Sequence, residues 1–300
     1  MDILVKLLPT FGLIGLGYFL KRQGIFNADL GRTLLKFVFL VAAPVLTLRS
    51  ISQLHLDSSL LAIFILPLVL TAASYVLVKP LEKRVNLKPK QFAVFLMATM
   101  AVNSGFTLPF VMSIAGDDGA ARVALFNVLN GFMVFGWVYS IAISYGHREN
   151  LRKIDILKAV TVTPAFITLI VALAMNFTST EIPSWISPTV NMLADLTAPL
   201  ILLALGLILE PRLMFPTQTF QSLFIRMVGG LAIGVAFVIV FGLTGVDRIA
   251  VLILAASPVG FNAVTFSSLE KLDDTFAASI VSMGLLAGLV LISILTVLLS

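Results

Sequence analysis

The chain has 300 residues, of which 59% are hydrophobic and 12% are charged, and its net charge is +5. A soluble domain has about 25% charged residues, so this chain has too few charges to solvate a globular surface, and a soluble enzyme is excluded. It contains no cysteine, which excludes disulfides and thiolate metal sites. The composition predicts an all-α polytopic membrane protein with almost no domain outside the bilayer.

Hydrophobic runs separated by short polar segments predict ten membrane spans. In chain order they lie at 3–20, 33–50, 59–78, 92–115, 120–145, 159–176, 190–209, 222–243, 248–268 and 276–299. A helix of about 20 residues crosses the hydrocarbon core of a bilayer, and ten of them would use about two-thirds of the chain. The first run lacks a small-residue cleavage site, so we interpret it as a span rather than as a removed signal peptide.

Lysine and arginine are distributed unevenly among the loops. Loops after odd-numbered spans hold 14 of the 20 basic residues, whereas loops after even-numbered spans hold only Arg49, Arg122 and Arg248. By the positive-inside rule, this places both termini on the non-cytoplasmic side of the plasma membrane, which is the inner membrane in a bacterium. The same rule explains the positive net charge, so we expect the lipid bilayer and no nucleic acid as a partner.

Prolines recur at a constant offset along the chain. Pro9 and Pro44 are 35 residues apart, Pro164 and Pro199 are also 35 apart, and the two pairs are offset by 155 residues. The alanine that precedes Pro44 also precedes Pro199, and other flanking residues match in the same register. The pattern indicates an internal repeat.

The repeat predicts two five-helix units, at 1–145 and 159–300. Because five is an odd number, the second unit enters the membrane from the opposite side. The result is a 5+5 inverted repeat, an architecture found in many secondary transporters.

Spans 4 and 9 each carry asparagine, glycine and proline near mid-span. The residues concerned are Asn103, Ser104, Gly105 and Pro109 in span 4, and Pro258, Gly260 and Asn262 in span 9. Because Pro109 lacks an amide donor and clashes with the carbonyl of Gly105, we expect the helix to break there. A broken backbone at membrane depth must be packed in protein or line a cavity, so two breaks in matching positions predict a substrate site. For each break taken alone, a simple proline kink in a packed helix is the alternative.

The predicted site contains no charged side chain. Free amides and the positive dipole end of a half-helix suit a carboxylate, and Asn103 and Asn262 could fix its orientation. Asn127 and Asn130 are three residues apart on span 5 and therefore share a helical face, either as ligands or as partners for freed backbone groups. The chemistry is non-covalent binding of an anion or a neutral molecule, with no cofactor, no metal and no enzymatic activity.

Two charged residues inside predicted spans are candidates for a functional role. Asp195 in span 7 is interpreted as a site of proton or sodium coupling, because an intramembrane carboxylate is costly and is functional by default. The alternative is a carboxylate near the outer interface that snorkels or caps a helix. Arg226 in span 8 could be the counter-ion of an anionic substrate, although snorkelling to the cytoplasmic interface is the favoured interpretation.

The segments AVNSGFTLPFVMSIAG and AVLILAASPVGFNAVTFSSLEKLDDTFAASIVSMGLL resemble the crossover regions of the auxin efflux carrier family, the bacterial relatives of plant PIN transporters. VFLVAAPVLTL resembles the second span of that family, and the Asn-x-Gly-x-x-x-Pro run at 103–109 is the most specific element. The resemblance covers essentially the whole chain. It implies ten helices as an inverted repeat, with helices 4 and 9 broken and crossing.

The resemblance also implies two domains that move relative to each other. Spans 1, 2, 6 and 7 (near 3–50 and 159–209) would form a scaffold, and spans 3–5 and 8–10 (near 59–145 and 222–300) would form a transport domain. An elevator-type movement, export of a small organic anion such as a mono- or dicarboxylate, and a homodimer through the scaffold would follow. A sodium-coupled carrier of the bile-acid symporter type and a transporter-like ligand sensor stay open as alternatives.

Overall fold

A computed structural model gives the fold of the protein. It describes residues 2–54, 59–146, 163–210 and 213–300. The start of the predicted sixth span and the basic residues between positions 147 and 162 lie outside these residues. The described residues are helical and contain no strand, and their single β-type pairing is an isolated antiparallel bridge between Val102 and Val259.

The α-helices of the described residues follow one another with short connections. In the first half of the chain they are α1 (Asp2–Arg22), α2 (Ala28–Phe37), α3 (Ala43–Ser52), α4 (Ser59–Val78), α5 (Pro89–Met100), α6 (Ser104–Phe132) and α7 (Tyr139–Tyr145). In the second half they are α8 (Pro164–Phe177), α9 (Ser187–Asp195), α10 (Thr197–Ile208), α11 (Pro216–Leu223), α12 (Gly230–Phe241), α13 (Gly245–Ala255), α14 (Asn262–Leu269) and α15 (Asp274–Leu299). Three π-helical segments, Val38–Ala42, Met133–Val138 and Phe224–Gly229, join α2 to α3, α6 to α7 and α11 to α12.

Six helical stretches of the described chain are long and apolar enough to cross a membrane. They are Ala28–Ser52, Leu60–Leu81, Ser104–Tyr145, Ser187–Ile208, Pro216–Phe241 and Asp274–Leu299. Three of the helices that flank the predicted breaks are shorter: α5 has 12 residues, α13 has 11 and α14 has 8. A multi-pass helical membrane protein is therefore confirmed.

The chain leaves helical geometry near both predicted breaks, but the first break lies earlier than Pro109 suggested. It comprises residues 101–103, and both Gly105 and Pro109 lie inside α6. Pro109 is the sixth residue of α6, so the helix lacks the one backbone hydrogen bond that would reach the carbonyl of Gly105, and it continues. The expectation that Pro109 itself breaks the helix was wrong. The path of α6 turns instead at Gly116, whose φ of 53° is easily reached by glycine alone.

Close helix crossings hold the bundle together. α1 packs against α10, α3 packs against α8, and α6 packs against both α4 and α13. At the first crossing, a Cβ atom added to Gly17 or Gly206 would overlap backbone atoms of the opposite helix. Such contacts are typical of membrane helices, in which small residues let backbones approach closely. The end of α3 is fixed by Asn176 of α8, whose Nδ2 donates to the carbonyls of Ile51 (2.9 Å) and Leu54 (2.7 Å).

Candidate functional site

The two interruptions meet and form hydrogen bonds with each other. The N–H of Asn103 donates to the carbonyl of Pro258 (3.1 Å), and the N–H of Gly260 donates to the carbonyl of Ala101 (3.0 Å). Each opened backbone therefore supplies hydrogen-bond partners for the other. Inside a membrane, the N–H and C=O groups of a non-helical segment need such partners within the protein, because no water is available to them. We call this contact between residues 101–103 and 256–261 the crossing.

Asn103 stabilises the crossing with both ends of its side-chain amide. Its Oδ1 accepts from the N–H of Phe106 (3.1 Å) and so caps α6, and its Nδ2 donates to the carbonyl of Val259 (3.2 Å). Only 6% of the residue is exposed. These contacts are those of a structural cap, and Asn103 is absent from the walls of the cavity described next.

A cavity of about 390 Å³ lies beside the start of α6. Small-molecule sites commonly have volumes of about 300–1,000 Å³. Five of the residues predicted from the sequence line it, namely Ser104, Gly105, Asn127, Asn130 and Asn262. The other predicted residues, Asn103, Pro109, Pro258 and Gly260, do not line it. None of the described residues in its walls is charged.

The rest of the cavity wall comes from helices far apart in the sequence. Phe39 and Thr47 contribute from the first π-helical segment and α3, Pro164 and Phe166 from the start of α8, and Ile201 from α10. The π-helical segment Met133–Val138 also borders the cavity, through its residues at positions 134 and 135. π-Helical turns are frequent at functional sites, because they present side chains that a regular helix would turn away.

The amide side chains at the cavity have unused hydrogen-bonding capacity. Asn127 Oδ1 accepts from the hydroxyl of Ser104 (2.5 Å), which is a side chain and not one of the freed backbone groups considered in the sequence analysis. Asn130 is 8% exposed, and its Oδ1 has no hydrogen-bond partner among the described residues. A buried acceptor without a donor costs about 1–3 kcal/mol, so Asn130 marks a position that favours a bound molecule or water.

Two helices also begin at the cavity wall. α6 begins at Ser104 and α14 begins at Asn262, and both residues line the cavity wall. Within the described part of the chain, the backbone amides of Ser104, Gly105 and Asn262 donate to no acceptor. These free N–H groups and the two positive dipole ends make the cavity attractive to a negative charge.

Asp195 does not belong to this cavity. Its carboxylate accepts from Nη1 of Arg49 (2.8 Å), its side chain is 69% exposed, and both residues line a separate polar pocket that also contains Asp117. Arg49 lies on α3, two residues beyond the cavity residue Thr47. It is close to the end of α3 that Asn176 of α8 holds through a hydrogen bond to Ile51. The carboxylate is therefore ion-paired near the end of the bundle, which fits the interface alternative better than a desolvated coupling site.

Arg226 is fully buried, and the expectation that it snorkels to an interface was wrong. Its Nη2 donates to the carbonyl of Ala255 (2.7 Å) and its Nε donates to the carbonyl of Ser257 (3.2 Å). These are the carbonyls at the C-terminal end of α13, where the helix dipole is negative. Arg226 lies in the π-helical segment Phe224–Gly229, where a period of 3.6 residues does not predict the direction of a side chain.

The burial of three other charged residues was missed by the sequence analysis. Glu270, at the end of α14, is fully buried and accepts from the hydroxyl of Tyr139 (2.8 Å). Arg122 donates through Nε to Asp247 (2.7 Å), and the two side chains are 11% and 12% exposed. Because each residue lies at the edge of a hydrophobic run, the sequence offers no signal that separates it from an ordinary loop charge.

Comparison with known proteins gives matches over nearly the whole chain. A family model described as "Membrane transport protein" matches residues 2–156 and 147–297. The chain is also 28% identical over 296 residues to an uncharacterized transporter from Methanocaldococcus jannaschii, and this alignment covers 93% of the chain and 92% of the relative.

Proposed function

Because the chain belongs to the membrane transport protein family, also known as the auxin efflux carrier family, we propose that it is a secondary transporter that exports a small organic anion. The family consists of membrane transporters and not of enzymes. The observation that carries the proposal is the uncharged cavity beside the crossing, which is lined by the first residues of two helices and by three asparagines.

The cavity chemistry supports an anion as the substrate. A carboxylate accepts hydrogen bonds only, and the free amides of Ser104, Gly105 and Asn262 donate them. Helix N-termini bind anions through these same N–H groups and the dipole of the helix. The amide groups of Asn127, Asn130 and Asn262 add donors without the desolvation penalty of a buried lysine or arginine. The volume of about 390 Å³ suits a mono- or dicarboxylate.

The position of the cavity supports an elevator-type mechanism. One side of its wall comes from Thr47, Pro164 and Ile201, which belong to the proposed scaffold, and the other comes from Ser104 and Asn262, which belong to the proposed transport domain. A substrate bound between the two groups would move with the crossing when the transport domain slides along the scaffold. We place this movement in a ten-helix 5+5 inverted repeat, within the inner membrane and with both termini on the non-cytoplasmic side.

A thermal-shift screen of the purified protein against mono- and dicarboxylates tests the proposal. Ligand at about 100 times its Kd stabilises a protein by about 2.7 kcal/mol, so a substrate should raise the Tm by several degrees. We expect Asn262→Ala and Asn130→Ala to lose this shift, because both residues line the cavity. The control is Asn86→Ala, since Asn86 is exposed in the loop before α5 and should keep the shift.

Counterflow of a labelled carboxylate in liposomes then separates a transporter from a ligand sensor. A sensor would give the thermal shift without counterflow. The proposal fails if no carboxylate stabilises the protein, if the shift survives in both cavity variants, or if liposomes with protein accumulate no more label than empty ones.

A further inference from the structure

Arg226 places a fixed positive charge directly behind the crossing. The residue is fully buried, and its guanidinium donates to the carbonyls of Ala255 (2.7 Å) and Ser257 (3.2 Å). Ala255 is the last residue of α13, and Ser257 lies in the interruption that follows it. The guanidinium therefore binds the carbonyl end of a helix that stops inside the protein.

The carbonyls that Arg226 occupies are of the type that binds coupling ions in other transporters. A half-helix that ends at mid-membrane exposes carbonyl oxygens with a partial negative charge, and secondary transporters use such ends to coordinate Na⁺. A cation there offsets the dipole of the half-helix in a region of low dielectric constant. In this protein a guanidinium fills that role, and it is covalently attached to the chain.

The positive charge of Arg226 is compensated by the dipoles of backbone carbonyls and not by an acidic side chain. Within the described residues Arg226 has no ion pair, and its Nη1 has no acceptor. A buried, unpaired guanidinium is expensive unless its surroundings compensate the charge. The carbonyl end of α13 supplies that compensation, so the charge and the half-helix stabilise each other.

The charge is also linked to the substrate cavity. Ser257 binds Arg226 through its carbonyl and accepts from the N–H of Asn103 through its hydroxyl (3.3 Å). Asn103 in turn caps α6, whose first residues line the cavity. Arg226 therefore acts on the cavity as a positioning residue, through the crossing and without lining the cavity itself.

We propose that Arg226 is a tethered cation that takes the place of a coupling sodium ion at the crossing, so that anion transport by this protein needs no sodium. The proposal rests on the transport function proposed above. The sequence left open whether the protein is a sodium-coupled carrier. The proposal argues against that alternative, because a sodium ion would need the carbonyls of Ala255 and Ser257 that Arg226 occupies.

The first test is the thermal stability of purified variants in sodium chloride and in choline chloride at equal ionic strength. Arg226→Met removes the charge while keeping a long side chain, and Arg226→Lys keeps the charge. We expect the Tm of the wild type to be the same in sodium chloride as in choline chloride, and we expect the same of Arg226→Lys. Arg226→Met should lose two charged hydrogen bonds, which lowers the Tm by about 5–10 °C in choline, and sodium should restore part of it.

Arg248→Met is the matched control, because Arg248 is an exposed arginine on α13, the helix whose end Arg226 binds. It should show no dependence on the cation. The proposal is overturned if Arg226→Met is as stable as wild type in choline, if sodium gives it no stabilisation beyond that of Arg248→Met, or if Arg226→Lys is destabilised as much as Arg226→Met. If Arg226→Met does not fold in either salt, recovery of a folded Arg226→Lys supports the proposal, and failure of both overturns it.

The second test is carboxylate counterflow by the wild-type protein with sodium replaced by choline on both sides of the liposome membrane. Equal rates are expected, and a rate that falls to background in choline overturns the proposal. The stability measurement needs no transported substrate. A protein that shows the expected cation dependence but no counterflow would therefore contradict the transport function alone.

Discussion

Asp117 and Asp118 are neighbours in one turn, yet their carboxylates pair with arginines of different helices. Asp117 accepts from Nη2 of Arg49 on α3 (2.8 Å), whereas Asp118 lies 3.6 Å from Nη1 of Arg122, on its own helix α6. Both residues follow Gly116, whose positive φ marks the turn in α6. One carboxylate therefore ties the turn to the proposed scaffold, and the other ties it to the proposed transport domain.

The elevator movement predicts that the contact between Arg49 and Asp117 breaks in every transport cycle. We expect the double variant Arg49→Cys/Asp117→Cys, linked by a short cleavable bifunctional thiol reagent, to lose counterflow, and reductant to restore it. The chain has no cysteine of its own, so the reagent modifies only the introduced pair. The measurement is counterflow of labelled carboxylate before linking, after linking and after reduction.

The control for this linkage also replaces Arg49 with cysteine but places the second cysteine at a different acidic partner of Arg49. Arg49 also pairs with Asp195 (2.8 Å), and both residues belong to the proposed scaffold. Arg49→Cys/Asp195→Cys should therefore transport equally well when linked and when reduced. Full transport by the linked Arg49–Asp117 pair, or equal inhibition of both pairs, would argue against relative movement of the two helix groups.

The ion pair between Arg122 and Asp247 should contribute to stability. Both side chains are about nine-tenths buried, and removing one partner of a buried pair costs about 3–5 kcal/mol. Without Asp247, Arg122 would keep, among the described residues, only the exposed carboxylate of Asp118, which lies 3.6 Å away. We expect Asp247→Ala to lower the Tm of the detergent-solubilised protein clearly. Asp29→Ala is the comparison, because the pair between Asp29 and Arg32 is 75% and 69% exposed and should contribute little. Equal effects of the two substitutions would contradict the difference in burial.

The sequence predicted the class of fold and the region of the candidate site, because both depend on composition and local pattern. Continuous hydrophobic runs require helices in a bilayer, and the three-residue spacing of Asn127 and Asn130 puts both on one face of a helix. The structure places these two asparagines in one cavity wall with Ser104 and Asn262. Clustered polar groups at the middle of apolar spans are a strong local signal for such a cavity.

The roles of individual residues in the site depend on contacts that no local pattern encodes. Asn103 and Asn262 look equivalent in the sequence. Asn103, however, donates a hydrogen bond across the crossing to the carbonyl of Val259, a residue 156 positions further along the chain. The burial of Arg226 depends on a π-helical turn and on the end of α13, and neither is visible in the periodicity of its own segment. Pro109 was given too much weight because a proline near the start of a helix removes only one hydrogen bond.

Asn103, which lies in the crossing, and Asn262, which lies beside it, should therefore respond differently to truncation. Asn103→Ala removes the cap of α6 and the bond to Val259, so we expect it to destabilise the protein without ligand by about 1–3 kcal/mol. Asn262→Ala should leave that stability unchanged, because Asn262 makes no side-chain hydrogen bond within the described residues, and should lower the affinity for the carboxylate. Tm values with and without ligand separate the two effects. A stable Asn103→Ala protein would contradict the assignment of Asn103 as a structural cap.

The glycines at the crossing of α1 and α10 give a last prediction, about packing alone. A Cβ atom on Gly206 would overlap the carbonyl oxygen of Ile14, and the backbone cannot yield locally as a flexible side chain could. We expect Gly206→Ala to cost about 1–3 kcal/mol through overpacking. Gly12→Ala on α1 is the matched control, because its Cβ would meet no atom within 4 Å and alanine favours a helix.

Both glycines lie in the proposed scaffold and outside the cavity. Gly206→Ala should therefore lower the Tm while the Kd for the carboxylate stays that of wild type, which is the reverse of the effect expected for Asn262→Ala. A Gly206→Ala protein as stable as Gly12→Ala would show that the two helices do not approach so closely.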